Sequence, residues 1–110
     1  MESIKNNRDF LKIYRNGKSY VNKYLVMYLA PAQEDTAGRL GISVSKKVGN
    51  SVVRHRVKRL IKESFRLNEN RFQKGYDIVV VARKEAKGRN YSEIESAVLH
   101  LARLHNMLVE

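Results

Sequence analysis

Cysteine is absent from the 110-residue chain, so neither a disulfide framework nor a thiolate-held metal can shape it, and a reducing compartment suits it. Proline occurs once and tryptophan not at all, while 43% of residues are hydrophobic, a balance that argues against a disordered basic tail. No apolar run approaches the roughly 18–20 residues that span a bilayer, and the opening MESIKNNRDF lacks the apolar core of a signal peptide. A cytoplasmic location is the expectation. Acidic residues are scarce: 11 Asp and Glu against 22 Lys and Arg leave a formal charge of +11, for which folding alone gives no reason. A polyanion, most economically a nucleic acid, is the expected partner. At this length the chain reads as one domain, residues 1–110, with enough buried surface for one core.

Catalytic groupings are also missing. The sequence offers no paired carboxylates, no nucleophile with an evident base, and no glycine-rich phosphate loop beyond Gly49. His100 and His105 stand five apart without carboxylate or thiolate companions, so they make no metal site. The pattern is that of a binder.

What is present centres on Ser45 to Arg66, SKKVGNSVVRHRVKRLIKESFR, a turn leading into a two-faced helix. At 100° per residue, Val53, Val57, Leu60, Ile61, Ser64 and Leu67 gather on one arc, and Arg54, His55, Lys58, Arg59, Lys62 and Arg66 fill the opposite one. A solvated face would mix charge signs to gain i, i+4 pairs, yet no acidic residue interrupts the run from Lys46 to Lys62. Lys46, Lys47, Gly49, Asn50 and Ser51 add small, polar and cationic groups at the helix start, where free N–H groups and the dipole attract anions. The ridge is therefore expected to bind phosphate. His55, between two arginines, can hydrogen-bond RNA when neutral or add to the ridge when protonated.

The rest of the chain supplies a sheet and two more helices. Phe10, Ile13 and Tyr14 recur at helical spacing between Asn7 and Asn16, with Asn6 or Asn7 as cap and Gly17 as terminator. The second half of Tyr20 to Ala30 reads as a strand, Gln33 to Gly38 as a turn, and Arg39 to Ser45 as the strand's hairpin partner. Tyr76 to Arg83 is a continuous apolar run, the mark of a buried central strand. Ser92 and Glu95 stand in capping-box spacing before a last helix whose face carries Ile94, Val98, Leu101 and Leu108. The order α-β-β-α-β-α predicts an α/β sandwich with helices on one face of the sheet. Phe10, Tyr14 and Tyr28 fit either the core or a surface that stacks unpaired bases.

Ser43-Val44-Ser45-Lys46-Lys47-Val48-Gly49-Asn50 followed by Arg54-His55-Arg56-Val57-Lys58-Arg59 closely resembles the signature of the bacterial ribonuclease P protein component, an Arg-Asn-Arg helix after a Ser-Lys-Lys-x-Gly turn. Asp9-Phe10, Gly17, the Tyr76 to Arg83 strand with Lys84 after it, and Tyr91 to Glu95 extend the resemblance over nearly the whole chain. It implies an α+β fold like ribosomal S5 domain 2, with a left-handed β-α-β crossover through the basic helix, against a base rate of about 98% right-handed. The implied function is that of the small partner of a catalytic RNA that cleaves the 5′ leader from precursor tRNA with Mg²⁺ held mainly by RNA. No catalytic residue falls to the protein, and the protein alone is expected to be inactive. Its partners would be the ribonuclease P RNA subunit and precursor tRNA, with no membrane and no obligatory protein partner.

Carried over by position, Lys46, Lys47, Asn50, Arg54, His55, Arg56, Lys58, Arg59 and Lys62 look like the RNA-facing residues, and Phe10, Tyr14 and Tyr28 like the leader-binding cleft. His55 departs from the motif's usual Asn, and Mg²⁺ prefers oxygen ligands, so no metal residue is assigned. A ribosomal or other structural RNA-binding protein of the same fold, and a nuclease in its own right, are the alternatives. A membrane-surface helix is disfavoured because the apolar face lacks Trp and is needed for the core.

Overall fold

The computed structural model describes residues 1–33 and 38–109. The described part of the predicted turn is Gln33 and Gly38; its residues 34–37 lie outside the described residues. Five strands form one sheet: β1 (Glu2–Ser3), β2 (Lys18–Val21), β3 (Leu25–Pro31), β4 (Arg39–Ser43) and β5 (Tyr76–Ala82). Three helices accompany them: α1 (Asn7–Asn16), α2 (Ser51–Leu67) and α3 (Tyr91–Leu104). Two short strands, β1 and β2, thus join the expected order. The spatial order is β1-β4-β5-β3-β2.

That order corrects the expected hairpin. β3 pairs antiparallel with β2 and β5, and β4 pairs parallel with β5, so the apolar β5 lies between the two strands that chain proximity would have joined. With Ile78, Val79 and Val80 all fully buried, β5 gains most by having a neighbour on each edge and helices on each face. Helices do cover both faces, which also corrects the one-sided sandwich. Leu25, Met27, Leu40, Ile78 and Val80 meet Val57, Ile61 and Phe65 of α2 and Ile94, Val98 and Leu101 of α3. On the other face Val79 and Ala30 meet Ile13 of α1, with Phe10, Tyr14 and Tyr28 packed around them.

The hand of the β4-α2-β5 connection follows from residue chirality. Viewed from the α2 side with β5 running upward, a residue whose side chain points at the viewer turns its N–H and C=O to the right. Ile78 and Val80 point at α2, so residues of the other parity turn left, and two of these, Gly75 and Arg83, bond to the β3 side through Ala32 and Tyr24. β3 therefore lies left of β5 and β4 right of it. The chain climbs β4, descends through α2 in front and climbs β5 to the left, which is a left-handed crossover.

Local signals end the helices. Asn6 caps α1 by accepting from the Asp9 N–H at 2.9 Å, and the Gly17 N–H closes the helix onto the Ile13 carbonyl at 2.7 Å. Gly17 is needed for closeness: a Cβ there would stand 2.6 Å from that carbonyl oxygen. The capping box of α3 is Asn90 with Glu93, two residues before the pair expected. α3 stops at Leu104 because Asn106 adopts φ 57° while the Met107 N–H returns to the Ala102 carbonyl, so Leu108 leaves the helix and bridges Phe72. In α2 the buried arc includes Phe65, stacked on Phe72 with centroids 4.9 Å apart, while Leu67, expected on that arc, is 57% exposed.

Candidate RNA interface

The turn before α2 is folded so that its cations face outward. Val48 is buried and its N–H donates to the Ser45 carbonyl at 3.0 Å, which leaves Lys46 and Lys47 exposed beside the helix start. Gly49 lets Val53 close over the turn, since a Cβ on it would lie 2.7 Å from a Val53 methyl. Asn50 is the N-cap, its Oδ1 accepting from the Val53 N–H at 3.0 Å. No acidic residue occupies the first turn of α2, so the positive end of its dipole has no carboxylate partner within the helix.

Along α2, His55, Lys58, Arg59 and Lys62 are exposed, and Arg54 is half-buried with its Nε shielded from solvent. These residues share the outward side expected of the ridge. Arg56 sits on a different flank, 200° from Arg54 by helical rotation, and its Nη1 donates to the Arg89 carbonyl at 2.9 Å. The Arg89 guanidinium in turn lies over the Tyr24 ring, 5.6 Å from its centroid. The ridge therefore continues through Arg56 toward the α3 cap instead of ending at the helix flank.

The three candidate aromatics do come together, on the α1 face. Tyr28, Val79 and Gly41 lie side by side across β3, β5 and β4. Phe10 covers Gly41, where a Cβ would stand 2.8 Å from its ring carbons. Tyr14 meets Tyr28 edge-on at 4.9 Å and Phe10 at 6.3 Å. Burial holds the Tyr14 phenol above its ordinary range, opposed by a hydrogen bond with Ser43 on β4. All three rings are half-buried, so each has one side in the core and one toward solvent.

Sequence reasoning missed what fixes this aromatic wall. Arg39 on β4 bonds Asp77 of β5 through Nη2 at 2.9 Å and Asp9 of α1 through Nη1 at 2.8 Å. Asp77 is only 5% exposed and also accepts from the Arg39 backbone N–H at 3.0 Å. Both carboxylates hold the guanidinium's proton well above the usual arginine range, and Arg39 first among its neighbours holds Asp9 below the usual carboxylate range. The signal was a lone Asp at the head of an apolar run, a residue that must find a partner once β5 is central.

A cationic helix ridge and an aromatic wall on the two sides of one sheet define an RNA-binding protein of the α+β class. The family model described as Ribonuclease P matches residues 1–105. The ribonuclease P protein component of Lachnoclostridium phytofermentans is 61% identical over 107 residues, 97% of this chain and 91% of that protein. The solved RNase P protein of Staphylococcus aureus superposes with a TM-score of 0.90 at 37% identity, covering 99% of both chains. That of Thermotoga maritima gives a TM-score of 0.83 at 35% identity, covering 94% of this chain and 97% of the other. The chain belongs to the ribonuclease P protein family, and so serves the endoribonuclease of tRNA 5′ maturation as its protein component.

Proposed function

We propose that the chain holds two RNA surfaces at once: the ribonuclease P RNA on the α2 ridge and the unpaired 5′ leader of precursor tRNA on the aromatic wall. Lys46, Lys47, Asn50, Arg54, His55, Lys58, Arg59 and Lys62 contact phosphates of the catalytic RNA, and Arg56 extends that contact toward Arg89. Phe10, Tyr14 and Tyr28 stack leader bases, a sequence-tolerant interaction worth about 1–3 kcal/mol per base. The observation that carries this reading is the placement of three half-buried rings together on the face of the sheet that α1 leaves partly open, opposite the face on which α2 packs.

The RNA subunit performs the hydrolysis, and the protein contributes binding and orientation. Among the described residues no three His, Cys, Asp or Glu side chains group in a way that could hold a metal ion. His55 offers nitrogen where Mg²⁺ prefers oxygen, which supports a holoenzyme metal held mainly by RNA.

Reconstitution with a bacterial ribonuclease P RNA tests the whole. Lys58→Ala with Arg59→Ala should weaken assembly and flatten the log K against log salt slope by about 0.7–0.9 per lost contact. An unchanged slope rejects the ridge. Tyr14→Ala should weaken binding of leader-bearing precursor more than of mature tRNA, and equal losses reject the leader site. Cleavage of precursor by the protein without RNA would refute the division of labour.

A further inference from the structure

Around the outer edge of β4, between β1 and the C-terminal half of α2, lies a cavity of about 590 Å³. Its floor is apolar, formed by Ile4, Ile42, Phe65 and one side of Phe10. Lys5, Lys58 and Lys62 stand at its rim, all exposed and none in an ion pair with a described residue. The nearby carboxylates are already engaged: Glu63 with Arg66, and Glu69 with the Met1 amino group. Lys58 and Lys62, four apart on α2, repel each other and gain nothing within the fold for doing so. Free cations around an apolar hollow of ligand size fit a molecule with a flat apolar body and an anionic end. An unpaired nucleotide is such a molecule. Phe10 also belongs to the aromatic wall, so a strand lying on the wall meets this cavity by turning over the β4 edge at Gly41.

We propose that the cavity is a nucleotide subsite: it takes one unpaired base of an RNA strand continuing from the aromatic wall against Ile42, Phe65 and Phe10, with the adjoining phosphate held by Lys5 and by Lys62, the ridge residue at which the two RNA surfaces meet. It rests on the reading of the wall as a single-strand site. Methyl NMR of the full chain titrated with a short oligouridylate separates the two. A shift at Ile42, which packs on the α2 side of β4, together with one at Val81, which packs beside the wall, supports the subsite. A shift at Val81 without one at Ile42 overturns it and leaves the wall standing, and no response at either overturns both. Ser3→Trp, a bulky side chain at an exposed position lining the cavity, should abolish the Ile42 response, keep that of Val81, and weaken oligouridylate binding about fivefold, the low end for one stacked base. Lys62→Glu should lower affinity at least as much. Unchanged affinity in both variants overturns the proposal, as does a shift at Ile42 with a medium-chain fatty acid but not with the oligouridylate.

Discussion

Replacing Arg39 by Met puts a number on the link between α1 and the sheet. The substitution keeps the apolar stem and removes the guanidinium, so the Asp77 carboxylate, 5% exposed, retains only the backbone N–H of residue 39 among the partners Arg39 supplies. Stranding one member of a buried pair costs about 3–5 kcal/mol. The Arg39 side chain is 27% exposed, so water can partly replace it, and the loss should be nearer about 2–3 kcal/mol. Urea unfolding followed by circular dichroism would then show a midpoint lower by roughly 1–2 M. Adding Asp77→Asn to Arg39→Met removes the stranded charge and should recover part of that loss. The reasoning fails if Arg39→Met unfolds at the wild-type midpoint, or if the double variant is no more stable than Arg39→Met alone. Because Asp9 shares the same guanidinium, α1 loosens too, and discrimination for leader-bearing precursor should fall.

Three other outcomes are expected. His105 places Nε2 2.9 Å from the Met27 carbonyl, burial holds its pKa below the ordinary 6.5, and its Nδ1 is buried without a partner. The unfolded ring therefore takes up a proton first, stability falls as pH drops from 6.5 toward the folded pKa, and His105→Gln should flatten that limb of a stability–pH curve. Gly41→Ala places a Cβ about an ångström inside contact with Phe10; unfolding should show a loss of about 1–2 kcal/mol, and leader affinity should drop as the ring shifts. Asn50→Ala should cost about 1 kcal/mol of stability through the lost cap, whereas Asn50→Asp keeps an acceptor for the Val53 N–H and should stay near wild type in unfolding yet bind RNA more weakly.

The parts of the fold legible beforehand were those written in periodicity. β5 declared itself as a continuous apolar run, α1 by its cap and Gly17, and α2 by two arcs of opposite character. Strand order was not legible, because no local signal in Arg39 to Ser43 says that its partner is 38 residues away instead of across the nearest turn. β1 and β2 were missed because two and four residues are too few to show alternation. Phe65 and Leu67 exchanged roles because a helix arc only ranks positions, and the stack on Phe72 decides which apolar residue goes in. In the candidate site, the charges could be read from sequence spacing. The grouping of Phe10, Tyr14 and Tyr28 could not, since it depends on Gly41 and Ser43 reaching the α1 face from a strand placed two positions over.

The left-handed passage from β4 to β5 has a consequence for which side of the sheet is available to a ligand. With the same strands in the same order, a right-handed passage would carry α2 across the face that holds Tyr28, Val79 and Gly41. Seventeen residues of helix would roof over the rings, and the apolar residues now beneath α2 would be left bare. The hand of one connection thus sorts the two faces into an interior and a workbench. A designer erasing the aromatic groove by winding that connection the other way would also have to repattern the opposite face of the sheet, because its apolar residues would have lost their cover.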